Sequence, residues 1–261
     1  MSSGLVDITV QTLMQFSGGQ DWRLQLAQDR PEHLLIWTTR GQGRVHLDGR
    51  RRGLGTHNAL WIPAGHLFSI ELGYQGSGLV VIIPAGTPLR LPEIPRHLRI
   101  LENPVQSELN AIIENTQREE KARRPLYPDA LEAHGALLSV WLRRQIMQEQ
   151  HVPDKRNAAA RLSARYCLMI STQFRTGVPM ADYAKDLGVT PTHLTRAVKS
   201  ATGKTAAEIL TERVLFEART LLAGTRQPAQ DIARHLGFGS AAYFTRFIQQ
   251  HTGKPPSKLR G

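Results

Sequence analysis

The feature that most constrains this 261-residue chain is an internal repeat near its C-terminus. The stretch DIARHLGFGSAAYFTRFIQQHTGK begins at Asp231, and a related stretch, DYAKDLGVTPTHLTRAVKSATGK, begins at Asp182. Identical residues recur 49 positions apart in the first part of the repeat and 50 positions apart in the second part. One additional residue in the middle explains this change, so the same supersecondary unit occurs twice.

Each copy predicts two short helices separated by a tight turn. In the first copy the apolar residues at helical spacing end at Gly188, which suits the left-handed position that follows a helix. Thr190 is a good cap for the next helix, and Pro191 suits its first position. The second copy repeats this pattern with Gly237 in the turn and Ser240 as the cap.

The second helix of each copy has an apolar face and an outer, more polar face. The outer face carries Thr192, Thr195, Arg196 and Lys199 in the first copy, and Ala242, Tyr243, Arg246, Gln249 and Gln250 in the second. Two helices joined by a glycine-containing turn, with arginine on the outer face of the second helix, are typical of a helix-turn-helix. Because arginine in the major groove can pair with guanine, the repeat predicts two DNA-recognition helices joined by a buried helix over about 206–223.

The distribution of charge along the chain also indicates DNA as the partner. Residues 154–261 carry 17 basic and 7 acidic side chains, whereas residues 1–153 carry 16 basic and 15 acidic ones. A basic region beside a nearly neutral one indicates a polyanionic partner, and we expect double-stranded DNA rather than a membrane. No apolar run approaches the ~18 residues that a membrane-spanning helix needs.

The N-terminal half predicts β-structure followed by two helices. Between about Pro31 and Pro84, short runs rich in Leu, Ile, Val and Trp are interrupted at intervals by Gly, Pro or Asn, which is typical of an antiparallel sandwich or small barrel. Two helical patterns follow, and the second forms an apolar stripe that can pack on the sheet or on a second chain. Because of that stripe we expect a homodimer; its members are Leu131, Leu138, Trp141 and Leu142.

The repeat region resembles a known family. Residues from about 157 to 260 are similar to the DNA-binding domain of the AraC/XylS family of bacterial transcription regulators, through DIARHLGFGSAAYFTRFIQQHTGKPPSKLR and the weaker MADYAKDLGVTPTHLTRAVKSATG. The resemblance implies that both second helices enter major grooves. The residues that it places against bases are Thr192, Thr195 and Arg196 in the first unit, and Ala242, Tyr243 and Arg246 in the second.

Family members with this layout often carry an N-terminal cupin-like barrel that senses an effector, and GTHNALWIPAGHLF resembles a cupin strand-turn-strand. Metal-binding cupins have a histidine at the position of Phe68, so we expect no metal and no cofactor. A barrel without metal can enclose a small organic molecule instead. The candidate lining residues are Trp37, Trp61 and Phe68, with His33 or Arg44 as polar anchors, although an ordinary core position is slightly favoured for each tryptophan.

We therefore expect a multidomain chain. An all-β, cupin-like domain covers residues 1–103, a helical connector with a candidate role in dimerisation covers 104–153, and an all-α DNA-binding domain covers 154–261. The two helix-turn-helix units span about 179–203 and 228–253, and HVPDKRN is the expected linker. The expected function is sequence-specific DNA binding in transcription regulation, modulated by a small molecule, with RNA polymerase as a further candidate partner.

Two alternatives from the enzyme class remain open at this point. One is a cupin-type enzyme that carries a DNA-binding tail, which the missing metal donors disfavour. The other is an alkyl-acceptor DNA-repair protein, which needs an activated thiolate, whereas Cys167 lies alone beside an apolar helix face. We predict no catalytic residue. The single cysteine and the lack of a signal-peptide pattern lead us to expect a cytoplasmic protein.

Overall fold

The computed structural model describes residues 7–148 and 157–260. The expected linker lies outside the described residues except for its last position, Asn157. The strands are β1 (Thr9–Thr12), β2 (His33–Arg40), β3 (Gly43–Leu47), β4 (Arg50–Leu54), β5 (Asn58–Ile62), β6 (Phe68–Leu72), β7 (Ser77–Ile83) and β8 (Arg96–Arg99). The helices are α1 (Leu13–Ser17), α2 (Trp22–Gln25), α3 (Asn103–Ala122), α4 (Tyr127–Met147), α5 (Ala158–Gln173), α6 (Met180–Asp186), α7 (Pro191–Thr202), α8 (Ala206–Gly224), α9 (Ala229–His235) and α10 (Ala241–Thr252).

The N-terminal half consists of two antiparallel sheets that face each other, which confirms the predicted sheet-rich, cupin-like domain. One sheet has the order β1-β7-β2-β5-β8, and the other has the order β4-β3-β6. Their facing sides enclose a compact apolar core. The fully or almost fully buried residues of this core include Leu34, Ile36, Val45, Leu47, Leu60, Phe68, Ile70 and Val80.

Helices α3 and α4 cover the opposite side of the five-stranded sheet. Successive side chains of a strand point to opposite faces, so β2 is buried on both sides and contributes Leu35 and Trp37 to this second core. The four residues of the stripe, Leu131, Leu138, Trp141 and Leu142, are at most 3% exposed, and the last three belong to the same core. This corrects the expectation that the stripe receives a second protomer, because its side chains pack on the chain's own sheet.

The C-terminal half is helical, as predicted, and shares one core. Helices α5 to α10 bury their apolar faces together, with Tyr166, Leu194, Phe244 and Ile248 fully inaccessible. The hydroxyl of Tyr166 donates a hydrogen bond to the carbonyl oxygen of Ala206 over 2.7 Å and so ties α5 to the start of α8. Within the described residues no helix combines the length and apolar character of a membrane span.

The two halves also contact each other. The β3–β4 hairpin turns at Asp48 and Gly49, both with positive φ, and the hydroxyl of Ser163 on α5 donates to the carbonyl oxygen of Gly49 over 2.7 Å. Ala27 and Leu67 of the N-terminal half are buried in the helical core. The sheet domain is therefore fixed against the helices that form the repeat.

Candidate nucleic-acid interface

The two repeat copies fold as matching helix-turn-helix units, α6–α7 and α9–α10. The turn glycines, Gly188 and Gly237, have φ values of +72° and +75°, a left-handed conformation that glycine adopts without steric cost. The side chain of Thr190 accepts a hydrogen bond from the backbone of α7 over 3.2 Å, and that of Ser240 accepts one from α10 over 3.1 Å. Both second helices therefore begin in the way that the sequence predicted.

The Thr-Gly-Lys triplet that ends each copy is a shared C-terminal cap. The Thr202 hydroxyl donates to the carbonyl oxygen of Val198 over 2.8 Å, and the Thr252 hydroxyl donates to that of Ile248 over 2.7 Å. Each hydroxyl also accepts from the backbone N–H of the lysine two residues later. The glycine between them closes the helix in a left-handed conformation. This explains why the triplet recurs in the sequence.

The predicted DNA-facing residues lie together on one outer face of each second helix. On α7, Thr192, Arg196 and Lys199 are exposed and Thr195 is half-buried. On α10, the predicted outer-face residues are all exposed: Ala242, Tyr243, Arg246, Gln249 and Gln250. The opposite faces hold Leu194 and Phe244 in the core. Each second helix thus presents one accessible arginine-bearing surface to an incoming ligand.

Helix α8 holds the two units apart. It has 19 residues, which corresponds to about 28 Å of helix, and it begins with a reciprocal capping pair of Thr205 and Glu208. A second connection lies at the loop before α6, where the backbone of Gly177 meets that of Gly237. A Cβ atom added to Gly237 would lie only 2.6 Å from the backbone nitrogen of Gly177. The units are therefore joined both through α8 and through a direct backbone contact.

The structure does not bring the five predicted effector residues together. Trp37 and Trp61 belong to the core beneath α3 and α4, where their indole N–H groups donate to the side-chain oxygen of Asn110 and the carbonyl oxygen of Pro92. His33 stacks on Trp61, whereas Phe68 is buried between the two sheets and Arg44 is exposed on β3. The expectation of one cavity lined by Trp37, Trp61 and Phe68 is therefore corrected, since the tryptophans and Phe68 face different layers.

Two open grooves do border the sheet domain. The larger one, of about 810 Å³, lies between α1–α2 and the β6–β7 turn; Leu13, Leu24, Leu72 and Leu79 line it together with Thr39 and Ser77. The smaller one, of about 500 Å³, lies beside the β4–β5 turn and includes Thr56, His57 and Arg99. Both volumes fall in the range of small-molecule sites. Sequence reasoning missed both grooves, because they are formed by residues far apart in the chain.

The titratable groups were compared with the requirements of a metal site and of a reactive thiol. No three His, Cys, Asp or Glu side chains in the described part of the chain converge as a metal site would require. Burial raises the pKa of the Cys167 thiol to about 12, so this cysteine is held as an unreactive thiol near neutral pH. Burial lowers the pKa of His97 to about 4, and its Nε2 lies 2.7 Å from the side-chain oxygen of Asn58.

Comparison with known protein families matches both halves of the chain. A family model described as "Helix-turn-helix domain" matches residues 183–261, and one described as "AraC-like ligand binding domain" matches residues 13–87. The solved structures with similar folds include ToxT from Vibrio cholerae O395, which is 12% identical, covers 97% of this chain and 96% of ToxT, and superposes with a TM-score of 0.42. They also include the C-terminal domain of AraT, a response regulator from Geobacillus stearothermophilus, at 24% identity, 40% and 86% coverage and a TM-score of 0.37.

Curated relatives are similar to the C-terminal part. The probable transcription factor PqrA from Proteus vulgaris is 34% identical over 88 residues, which is 34% of this chain and 72% of PqrA. The arabinose operon regulatory protein of Escherichia coli strain K12 is 27% identical over 81 residues, which is 31% of this chain and only 28% of that regulator. With a matching ligand-binding model, a matching helix-turn-helix model and this similarity to PqrA, the chain belongs to the AraC/XylS family of bacterial transcription regulators.

Proposed function

We propose that one protomer recognises a specific double-stranded DNA site by inserting α7 and α10 into two successive major grooves. The observation that carries this proposal is the pair of equivalently capped helices, each with an exposed arginine, Arg196 and Arg246, on the face that is turned away from the core. The major groove admits one α-helix, and successive turns of B-DNA lie ~34 Å apart. A spacer helix of about 28 Å between the units suits that separation.

The readout is divided between base contacts and phosphate contacts. Arg196 and Arg246 are the candidates for bidentate contacts with guanine, and Thr192, Thr195, Ala242 and Tyr243 supply hydroxyl and apolar contacts to neighbouring bases. Lys199, the capped start of α10 at Ser240 and the general basic charge of residues 154–261 serve the phosphates. Specific binding in this scheme depends on the arginines, whereas affinity for any DNA depends on the total positive charge.

The sheet domain is the proposed sensor of a small organic effector. The family model for an AraC-like ligand-binding domain spans residues 13–87, which includes nearly all the residues that line the larger groove. That groove combines leucine side chains with Thr39 and Ser77 hydroxyls, a mixture that suits an organic molecule of modest polarity. The groove replaces the cavity that was expected around the two tryptophans.

The expected function has four further parts: a role without catalysis, a cytoplasmic location, contact with RNA polymerase and a homodimer. A role without catalysis is supported by the regulators among the relatives and by the raised pKa of Cys167. A cytoplasmic location and contact with RNA polymerase follow only from membership of a transcription-regulator family. The homodimer stays a prediction, since the four residues that suggested it are buried within one chain. Sedimentation of the full-length protein with and without DNA tests it.

The proposed DNA binding is tested with DNA recovered from cells. Fragments bound by the full-length protein are mapped genome-wide, and affinity is then measured for a recovered duplex and for a shuffled duplex of the same composition. We expect the recovered duplex to bind at least ~1,000-fold more tightly. Arg196→Ala should remove much of that preference, and Arg165→Ala, which removes an exposed charge on α5, should not. Equal affinity for both duplexes contradicts the proposal.

The proposed sensor is tested by screening small organic molecules for those that raise the melting temperature of the full-length protein. Thr39→Trp fills the rim of the larger groove and should abolish the shift of a true effector. Thr56→Trp, a matched substitution at the smaller groove, should leave that shift unchanged. If only Thr56→Trp abolishes the shift, the effector binds in the smaller groove and the assignment is wrong.

A further inference from the structure

The row of α7 residues proposed to face DNA ends next to a residue of the sheet domain, Arg51. Thr192, Arg196 and Lys199 follow each other at helical spacing, and Gly203 occupies the next position on the same face. Gly203 has no side chain, and the guanidinium of Arg51 fills the space beside it. A Cβ atom added to Gly203 would lie 3.3 Å from Nη1 of Arg51 and 3.6 Å from its Cζ. Arg51 lies on β4, in the sheet domain, and is exposed.

Three contacts hold the β3–β4 hairpin, which carries Arg51, against α5 and α7. The ring nitrogen Nε2 of His46, the residue that pairs with Arg51 in the β3–β4 ladder, lies 3.0 Å from the carbonyl oxygen of Thr202 at the end of α7. The turn of the same hairpin is held by the Ser163 hydroxyl bonded to Gly49. A Cβ atom added to Gly49 would lie 2.6 Å from the backbone of α5, so the hairpin rests directly on that helix.

We propose that Arg51 of the sheet domain contacts a DNA phosphate beside the major groove that α7 enters, so that the sensor domain forms part of the DNA-binding surface. This inference rests on the proposed DNA-binding function and extends it across the domain boundary. A helix in the major groove has phosphates at the edge of the groove beside both of its ends. An exposed guanidinium at the end of the recognition stripe is a suitable donor to such a phosphate.

The proposal gives the sensor domain a direct way to change DNA affinity. The position of Arg51 relative to α7 depends on the docking of the β3–β4 hairpin on α5 and α7. Any movement of the sheet domain relative to the helices would withdraw this charge from the DNA surface. The second recognition helix would keep its contacts, because the hairpin lies against α5 and α7.

The test is a salt titration of the full-length protein on a duplex recovered from cells. Arg51→Gln should bind roughly five-fold more weakly near 0.15 M salt and should reduce the slope of log K against log salt by about 1, the effect of one lost phosphate contact. Its base preference should equal that of the wild type. Arg51→Lys should restore the slope, since it restores the charge. Arg118→Gln, which removes an exposed arginine on α3 behind the five-stranded sheet, should change neither quantity.

The outcomes separate this inference from the function on which it rests. A wild-type slope in Arg51→Gln, or a reduced slope that Arg51→Lys does not restore, overturns the inference, the second because it points to a purely structural contact. Tighter binding by Arg51→Gln also overturns it, since Arg51 would then oppose DNA binding. In these cases Arg196→Ala still loses sequence preference. If Arg196→Ala keeps its preference, the proposed readout by α7 is itself wrong.

Discussion

Arg213 is one of the residues through which the connecting helix α8 meets the N-terminal half, beside Phe216 and Arg219, which contact Trp22. It is 2% exposed, its guanidinium lies 3.7 Å from the centre of the Phe174 ring, and it pairs with Glu217 over 3.0 Å. Its Nε also bonds to the carboxylate of Asp29, which lies in the segment between α2 and β2. A buried guanidinium needs such partners, because an unpaired buried charge is strongly unfavourable.

The first prediction concerns the ion pair between Arg213 and Asp29. Asp29→Ala leaves the buried guanidinium with Glu217 as its remaining carboxylate partner in the described structure, so the free energy of unfolding should fall by about 1–3 kcal/mol. Asp21→Ala, which removes an exposed carboxylate just before α2, should change stability by less than about 0.5 kcal/mol. Urea unfolding of the full-length variants measures both. Equal stability of the two variants would show that the pair does not stabilise the fold.

The positions of some single residues could be predicted from the sequence, and the contacts of others could not. The outward positions of Arg196 and Arg246 were predicted, because the apolar periodicity of each helix determines which side is buried. The position of Arg51 beside Gly203 was not, because no local pattern indicates which helix a strand will contact about 150 residues later in the chain. Arg213 was likewise assigned only to a buried helix, with no indication of its acidic partner 184 residues away.

At the scale of elements, the two turn glycines occupy equivalent positions but have different surroundings. Gly188 and Gly237 share a left-handed φ, yet a Cβ atom at Gly188 would meet nothing within 4 Å. A Cβ atom at Gly237 would collide with the backbone of Gly177. The first glycine is needed for its conformation alone, and the second also for the contact that joins the two units.

The second prediction follows from this difference. Gly188→Ala should cost about 1–2 kcal/mol, the penalty of a left-handed conformation for a residue with a side chain. Gly237→Ala carries the same penalty and must also displace the Gly177 loop, so it should cost at least 1 kcal/mol more, by the scale of such backbone strain. Thermal unfolding of the two variants gives the comparison. Similar melting temperatures would mean that the Gly177 contact is not close in solution.

Elements with strong periodicity were predicted, and those without it were not. Strands β2 to β7 match the short runs bounded by turn residues that the sequence shows between about Pro31 and Pro84. Helices α3 to α10 match helical periodicity, and α7 and α10 also match their predicted caps. Strand β8 was missed because it lies in a proline-rich segment, and β1, α1 and α2 were missed because each has only four or five residues. The stripe on α4 was recognised as apolar, but the sequence did not show whether the sheet or a second chain covers it, since an apolar face does not reveal its packing partner.

At the scale of the whole molecule, acid should destabilise the fold. Burial lowers the pKa of His97 to about 4, whereas a histidine in the unfolded chain titrates near 6.5. Burial also lowers the pKa values of His33, His46 and His134. Because the unfolded chain binds these protons more readily, the stabilisation is complete above pH ~6.5 and is lost as the pH falls toward 4.

The third prediction gives the size of this effect for one group. A shift of this size at His97 corresponds to up to about 3 kcal/mol of stability that disappears between pH 6.5 and 4. His97→Gln should therefore show a shallower loss of stability over that window than the wild type. Urea unfolding at a series of pH values measures it. Parallel stability curves for the two proteins would show that His97 is not buried as described.

In the proposed function, a single chain reads two DNA segments about one helical turn apart with two matching helices. The most direct measurement is selection of bound sequences from a random duplex library by the wild type, Arg196→Ala and Arg246→Ala. We expect the wild type to select two short blocks about 10 base pairs apart. Each variant should lose ~1–3 kcal/mol of preference at a base in one block only, and the two variants in different blocks. Loss in the same block, or unchanged preferences in both variants, would contradict DNA readout by both helices of one chain.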